Sequence, residues 1–235
     1  FDISRKSKNN FVTVLFNYLI SIYKIFKKID PDIVNFYLPH SYLLGGFLSY
    51  IFPKKKYLMS RRSLNNYQSK YVFSYFIERY ILHRRMTLII ANSFAIKKQL
   101  VSLEGVKPQN VDVVYNGINF KKKQIIKTRK VIRITCLANL INYKNHKMII
   151  RACNEIPRNL NYCVDFIGEG TDDFTKEIIK EIKKYDLECR IKLKGQIRNP
   201  DKNLENSDIG ILVSDEEGFP NSILEYMNNS LPIIA

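Results

Sequence analysis

Short runs of β-branched and aromatic residues alternate with segments of helical period along almost the whole chain. Strands are expected at Asp32–Phe36, Lys56–Ser60, Thr87–Ala91, Val111–Tyr115, Val131–Ala138, Tyr162–Ile167, Ile191–Leu193, Ile209–Val213 and Pro232–Ala235. Helices are expected at Ser41–Phe52, Val72–Arg84, Phe94–Leu103, Asn145–Glu155, Phe174–Tyr185, Asp201–Asn206 and Ser222–Asn229. Strands that alternate with helices are joined by crossovers and form parallel sheets. The chain is therefore predicted to be an α/β protein.

A polar, lysine-rich run from Phe120 to Lys130 interrupts this alternation, which then restarts. We therefore expect an N-terminal domain over residues 1–120, a basic linker over 121–130 and a C-terminal domain over 131–235. Each would be a Rossmann-like, doubly wound parallel sheet, and such folds bind ligands at the carboxyl ends of their strands. The chain begins without methionine and stops at an apolar strand that no helix follows, so both domains are expected to be incomplete.

The compartment is indicated by the apolar run near the start and by the cysteines. Phe11–Ile22 is interrupted by a polar residue at every fourth position and is too short to span a bilayer, so we expect a largely buried helix. Cys136, Cys153, Cys163 and Cys189 form no CxxC pair and lie in apolar segments. These features predict reduced, buried thiols in a cytoplasmic protein.

The positive charge is concentrated in the first half of the chain. The formal net charge is +16, but residues 1–130 hold 24 Lys and Arg against 6 Asp and Glu, whereas residues 131–235 hold 14 against 16. A basic surface suits nucleic acid, an anionic membrane leaflet or a diphosphate-bearing substrate. No nucleic-acid motif is present and the cations do not follow one helix, so a nucleic-acid-binding protein is the less favoured alternative.

The segment from Ser214 to Ala235 combines several features of an anion site. An acidic loop follows a predicted strand, Gly218 permits close backbone approach, and Pro220 and Asn221 stand where a helix is expected to begin. Free N–H groups and the helix dipole favour anions at such a place. Glu225, expected in the first helical turn, could accept hydrogen bonds from sugar or ribose hydroxyls.

The spacing of Glu217 and Glu225 resembles the glutamate pair of the retaining GT-B glycosyltransferases called group 1. Gly-Phe-Pro-Asn follows the first glutamate and Leu-Pro-Ile-Ile-Ala follows the second, as in that family. The resemblance implies that Glu217 is a catalytic residue beside the transferred sugar and that Glu225 holds the nucleotide ribose. It also implies a donor-binding segment formed by Gly218, Phe219, Pro220, Asn221 and Ser222.

The likeness extends upstream of this segment. Cys136–Ala152 is similar to the family's strand, loop and helix that supply an arginine and a lysine to the donor diphosphate. The lysine is Lys144, which the resemblance places in both donor binding and catalysis, and Asn139 stands where many members carry the arginine. In the first half, Ser60–Asn66 resembles the acceptor-side loop, so Arg61 and Arg62, with His40 in a neighbouring loop, are the acceptor-side candidates.

The resemblance implies retaining, metal-independent transfer of a sugar from a nucleotide diphosphate sugar, without a cofactor. The acceptor would be a glycan or a polyprenyl-diphosphate-linked sugar in capsule, lipopolysaccharide or related polysaccharide biosynthesis. The protein would then lie at the inner face of the plasma membrane, where basic clusters such as Lys54–Lys56 and Arg84-Arg85 suit anionic lipid. The three histidines are scattered, and the predicted donor-binding domain over 131–235 contains no Asp-x-Asp pair that could hold a metal against the diphosphate. A sugar-nucleotide epimerase with the GT-B architecture remains an alternative.

Overall fold

The computed structural model describes residues 11–64, 71–120 and 130–235. The chain divides into two compact units with the boundary between Tyr115 and Asn116, and each unit is built on a parallel sheet. The expected linker at 121–130 lies outside the described residues, apart from Lys130.

The first unit contains a four-stranded parallel sheet in the order β1-β2-β3-β4. Its strands are β1 (Ile33–Tyr37), β2 (Lys56–Arg61), β3 (Leu88–Ala91) and β4 (Val111–Val113). Its helices are α1 (Phe11–Ile29), α2 (Pro39–Gly45), α3 (Leu48–Ile51), α4 (Val72–Ile77) and α5 (Phe94–Ser102). The described part of the unit also contains a π-helical turn at Glu78–Leu82 and 3-10 turns at His83–Arg85 and Pro108–Asn110.

Three helices of this unit differ from the sequence-based expectation. The expected helix over Ser41–Phe52 is divided into α2 and α3. The helix expected to reach Arg84 is α-helical only to Ile77 and then widens into the π turn. The buried helix predicted over Phe11–Ile22 is exposed or only partly buried at residues 17–22, the part whose burial the structure describes, and within residues 17–29 of α1 only Phe26 is buried. Phe26 stacks on Phe52 and joins the core of the unit there.

The second unit contains a five-stranded parallel sheet in the order β7-β6-β5-β8-β9. Its strands are β5 (Ile132–Leu137), β6 (Tyr162–Ile167), β7 (Ile191–Gly195), β8 (Ile209–Ile211) and β9 (Ile233–Ile234). Its helices are α6 (His146–Glu155), α7 (Asp172–Lys184), α8 (Asp201–Glu205) and α9 (Asn221–Asn228), and a 3-10 turn covers Asn142–Lys144. Both sheets confirm the predicted α/β class.

The strand order of the second unit reverses at β5. Strands β6 and β7 lie on one side of β5, whereas β8 and β9 lie on the other. In open α/β sheets, the loops at such a reversal leave a crevice at the carboxyl edge, and ligands bind in it. The topology therefore points to the loops that follow β5 and β8.

The cysteines are all free, but they are not all buried. Cys136 and Cys153 lie in the core of the second unit, and burial raises the pKa of the Cys136 thiol to about 12. Cys163 is partly buried and Cys189 is exposed, so the prediction of a buried thiol is wrong for Cys189.

Within the described part of the chain, every helix falls short of the length and hydropathy that crossing a bilayer requires.

Candidate functional site

Lys144 and Glu217 form an ion pair at the reversal point of the second sheet. Lys144 ends the 3-10 turn that follows β5, and Glu217 lies in the loop that follows β8. The Lys144 Nζ donates a hydrogen bond to the Glu217 Oε1, and both side chains are largely but not fully shielded from water. The structure thus brings together two residues that are 73 positions apart and that the sequence predicted for one site.

Two further contacts fasten these loops to each other. The backbone N–H of Asp215 donates to the carbonyl oxygen of Tyr143 over 2.9 Å. Asn145, which has a left-handed backbone with a φ of 51°, donates from its Nδ2 to the Asp215 carboxylate. The Lys144–Glu217 pair therefore lies on loops that are held in place rather than on two independent surface segments.

His146 is a buried residue directly after the loop that carries Lys144. Its side chain is fully buried, and its ring meets Phe166 edge-on at 5.0 Å between centroids. Burial lowers the pKa of His146 to about 4, so the imidazole is neutral at physiological pH. We interpret His146 as the anchor that begins α6 and fixes the position of Lys144.

Asn139 lies where the end of β5 meets the end of β6. Gly168 has a φ of +155°, and a Cβ there would lie 2.1 Å from the carbonyl oxygen of Ala138, so only glycine permits this approach. The backbone N–H of Glu169 donates a weak hydrogen bond to Asn139 Oδ1 over 3.5 Å. The backbone carbonyl of Glu169 accepts a hydrogen bond from the N–H of Leu140 at 2.8 Å. The Gly-Glu-Gly turn thus shapes the loop that carries Asn139.

Helix α9 begins at Asn221, one residue before the predicted start at Ser222, beside the same edge of the sheet. Pro220 precedes it, no side chain caps its first N–H groups, and its first turn holds no acidic residue. Gly218, Phe219, Pro220 and Ser222 are each partly buried. An uncapped helix start with its dipole directed into a loop is suited to an anion.

Glu225 lies in the second turn of α9, not in the first turn as the sequence suggested. Its side chain is half-buried, and burial raises the pKa of its carboxyl group, as does the nearby charge of Asp201. Its carboxylate accepts no hydrogen bond from any described residue. A partly desolvated carboxylate without an internal partner is a ready acceptor for ligand hydroxyls.

Tyr226 holds α9 on the sheet, and sequence reasoning missed this residue. Its ring is fully buried against Gly210, where a Cβ would lie 2.4 Å from the ring. Its hydroxyl accepts from the N–H of Leu137 at 2.6 Å and donates to the carbonyl of Ile211 at 3.1 Å. One phenol therefore joins the ends of β5 and β8 and positions its neighbour Glu225.

The acceptor-side candidates occupy the carboxyl edge of the first sheet in two different environments. His40, in α2 after β1, and Arg62, directly after β2, are exposed. Arg61 is instead buried, with its guanidinium donating to Glu78 at 2.9 Å and to Glu104 at 3.2 Å. Its burial argues against the acceptor contact that the resemblance implied for it.

Arg61 belongs to a larger buried network. His83 Nε2 lies 2.8 Å from the second oxygen of Glu104, and His83 Nδ1 lies 2.8 Å from the hydroxyl of Tyr42. Glu78, His83 and Glu104 bring ligand atoms within 4.8 Å of one another, the only such group of metal-ligand types in the part of the chain that the structure describes. Because Arg61 and Tyr42 already occupy these atoms, we interpret the group as a charge network rather than a metal site.

Two family models match the chain. The model described as glycosyl transferases group 1 matches residues 117–235, which is half of the chain, and the model described as glycosyltransferase family 4 matches residues 5–122. The chain belongs to the group 1 glycosyltransferases. This confirms the resemblance to the group 1 glycosyltransferases.

Named glycosyltransferases are similar in sequence to this group 1 chain. The N-acetylgalactosamine-N,N'-diacetylbacillosaminyl-diphospho-undecaprenol 4-alpha-N-acetylgalactosaminyltransferase of Campylobacter jejuni is 25% identical over 74% of this chain and 46% of that protein. The capsular polysaccharide biosynthesis glycosyltransferase CapH of Staphylococcus aureus is 23% identical over 63% of this chain and 42% of that protein. The chain thus spans less than half the length of these relatives.

Solved glycosyltransferase structures share the fold. The Anabaena protein HepE in complex with UDP and glucose matches 91% of this chain and 62% of its own length, with a TM-score of 0.77 and 19% identity. A glycosyltransferase from Rickettsia africae matches all of this chain and 65% of its own length, with a TM-score of 0.72 and 20% identity. The two parallel sheets are therefore those of the GT-B glycosyltransferases.

Proposed function

We propose that the protein to which this chain belongs transfers a sugar from a nucleotide diphosphate sugar to a glycan or lipid-linked acceptor. One observation carries the proposal: the Lys144–Glu217 pair, the open start of α9 and the unpartnered carboxylate of Glu225 all follow strands β5 and β8. Together they place in one unit the Lys144 cation, a helix start that can bind an anion, and the Glu225 carboxylate, which can accept hydrogen bonds from hydroxyl groups. Those groups match a nucleotide diphosphate sugar.

Each residue then has a role that its environment supports. Lys144 would exchange part of its contact with Glu217 for the donor diphosphate, and the N–H groups at Asn221 and Ser222 would share the phosphate charge. Once its contact with Lys144 is weakened, the Glu217 carboxylate would contact the transferred sugar and orient that sugar. Glu225 would accept hydrogen bonds from the ribose hydroxyls. Asn139 would supply a neutral hydrogen bond to the diphosphate in place of an arginine.

Metal independence and retention of anomeric configuration are part of the same proposal. A lysine cation and a helix dipole can neutralise a departing diphosphate without a divalent ion, provided that they are held in place. The contacts between the Tyr143–Asn145 segment and Asp215 provide that support. Retention would follow from delivery of the acceptor to the face from which the diphosphate leaves.

The acceptor and the location are inferred from charge and from the relatives. The Campylobacter jejuni relative is named for a diphospho-undecaprenol acceptor, and the Staphylococcus aureus relative is named for capsule biosynthesis. A lipid-linked acceptor requires the protein to meet the inner leaflet of the plasma membrane, whose anionic lipids attract basic surfaces. The excess of cations in residues 1–130 suits that location.

The donor site is tested by replacing Glu225 with alanine and measuring UDP affinity by calorimetry, since UDP occupies HepE. The substitution removes a charge-assisted hydrogen bond, which contributes about 1.5–3 kcal/mol, so affinity should fall by about 10- to 150-fold. Glu188→Ala is the matched control, because Glu188 is exposed and precedes β7 at the opposite edge of the sheet. Equal affinity in Glu225→Ala and the wild type would remove Glu225 from the site.

The reaction is tested separately with a nucleotide sugar labelled in its sugar. A transferase moves the label to an added acceptor, whereas an epimerase converts the nucleotide sugar without one. Conversion that is independent of acceptor would refute the proposal.

A further inference from the structure

Helix α4 and the π turn after it carry apolar side chains on their outward face. Val72, Phe73, Phe76 and Tyr80 are 72%, 77%, 54% and 40% exposed. Phe73, Phe76 and Tyr80 are spaced three, four and seven residues apart, which places them on one side of a helix, and Val72 directly precedes Phe73. Between them, Glu78 is buried and Ile77 is partly buried against the core of the unit. We call these four residues the aromatic stripe.

The sequence on either side of the stripe holds few exposed negative side chains. Between residues 33 and 111 the sequence contains two acidic residues, Glu78 and Glu104, and both are buried against Arg61. The cations of the same stretch reach water at Lys54, Lys56, Arg62, Arg84, Lys98 and Lys107. The exposed aspartates described in the first unit, Asp30, Asp32 and Asp112, lie outside this stretch. Within the described residues between 33 and 111, the exposed formal charge is therefore positive.

Arginines lie next to the stripe itself. The Arg79 guanidinium lies over the rings of Tyr75 and Tyr80 at 5.9 and 5.1 Å, and its NH1 donates to the Tyr75 hydroxyl. Arg84, four residues after Tyr80, is exposed. Exposed aromatic side chains flanked by arginines are typical of helices that lie in the headgroup region of an anionic bilayer.

We infer that the aromatic stripe is the element that enters an anionic membrane, with Arg79 and Arg84 at the level of the lipid phosphates. This rests on the membrane location in the proposed function and specifies its contact. Charge alone would hold the protein near the surface and would fade with salt, whereas inserted phenylalanines add apolar burial that salt does not screen. A protein partner for the stripe is the competing occupant, and the test distinguishes it.

Tryptophan provides a direct reporter, because these 235 residues contain none and the wild-type spectrum subtracts any tryptophan elsewhere in the full-length protein. In the full-length protein, Phe76→Trp is compared with Phe94→Trp, since Phe94 is 67% exposed in the same unit but lies on α5, away from the stripe. With vesicles of phosphatidylcholine and phosphatidylglycerol, the emission of Phe76→Trp should shift to the blue and be quenched by brominated lipid. The emission of Phe94→Trp should change little.

The energetic test uses Phe73→Ser with Phe76→Ser, and Phe94→Ser as control, in vesicle co-sedimentation at high salt. The partition coefficient of the double variant into vesicles should be lower than that of the wild type by about tenfold or more. The partition coefficient of the Phe94→Ser control should equal that of the wild type. Equal partitioning of the double variant, equal quenching at both tryptophans, or self-association through the stripe in place of lipid binding would overturn the inference.

UDP affinity separates this inference from the proposed function. The double variant should bind UDP as the wild type does, because its substitutions lie outside the donor-binding unit. Loss of lipid binding with normal UDP affinity supports the inference. A wild-type protein that binds vesicles through the stripe but binds no UDP would refute the proposed function and leave the membrane contact standing.

Discussion

Arg61 offers a sharp test of how the first unit is stabilised. Its guanidinium is 3% exposed, donates to the carboxylates of Glu78 and Glu104, and donates from Nε to the carbonyl of Ser63 at 3.2 Å. Arg61→Met would leave two buried carboxylates without their shared cation. Removing one partner of a buried ion pair costs about 3–5 kcal/mol. Because domains are stable by only about 5–15 kcal/mol, the first unit would lose a large part of its stability.

Hydrogen exchange in the native protein measures this loss unit by unit. Amides of β2 and β3 should open more readily in Arg61→Met by about 3–5 kcal/mol, whereas amides of β5 and β6 serve as the internal reference. Arg62→Met is the matched control, since Arg62 is exposed, and it should change exchange by less than about 0.5 kcal/mol. Unchanged exchange in Arg61→Met, with a raised KM for acceptor, would show that Arg61 is an acceptor ligand and refute the structural role.

Three further predictions concern pH, metal and the donor loop. Burial opposes ionisation of Glu104, but the hydrogen bond from His83 and the charge of Arg61 outweigh it and hold the pKa of that carboxyl below its ordinary value. A depressed pKa stabilises the fold above the unfolded-state pKa of about 4.3 and ceases to do so as pH falls through the folded value, so the penalty of Glu104→Gln in urea unfolding should shrink in acid. Transfer activity should persist in EDTA, and complete loss that added metal reverses would contradict metal independence. Gly168→Ala should destabilise the second unit by about 1–3 kcal/mol and weaken UDP binding, because its Cβ would meet Ala138; unchanged melting and affinity would contradict this.

The order and type of the elements could be predicted from sequence because each has a clear period and a clear end. Tyr162–Ile167 was predicted at the bounds observed, and α9 was predicted to within one residue. The break between α2 and α3 and the π turn after Ile77 were not predicted. The spacing of apolar residues is nearly the same on the two sides of the helix break and of the π turn. That spacing shows which face of a helix is apolar, but it does not show which backbone hydrogen bonds form.

The residues of the donor site could be predicted only through the family's motif, whereas their supports could not. Glu217 and Lys144 are 73 residues apart, and no local pattern shows that their side chains meet. The sequence pattern predicts only that Tyr226 is a buried aromatic residue. It does not show that the hydroxyl of Tyr226 forms hydrogen bonds with the ends of β5 and β8. Arg61 and Arg62 are identical neighbours in sequence, but the last residue of β2 faces inward and the next faces water.

The strand order of the second unit also has a consequence during synthesis. The ribosome completes β5, β6 and β7 before β8, which must then dock beside β5. At about 5–20 residues per second, the 74 residues from the end of β5 at Leu137 to the end of β8 at Ile211 take roughly 4–15 s to emerge. Throughout that interval one edge of β5 has no neighbouring strand and can pair with another nascent chain. Substitutions that slow the docking of β8 should therefore lower the yield of protein in cells while leaving the molecules that do mature unchanged.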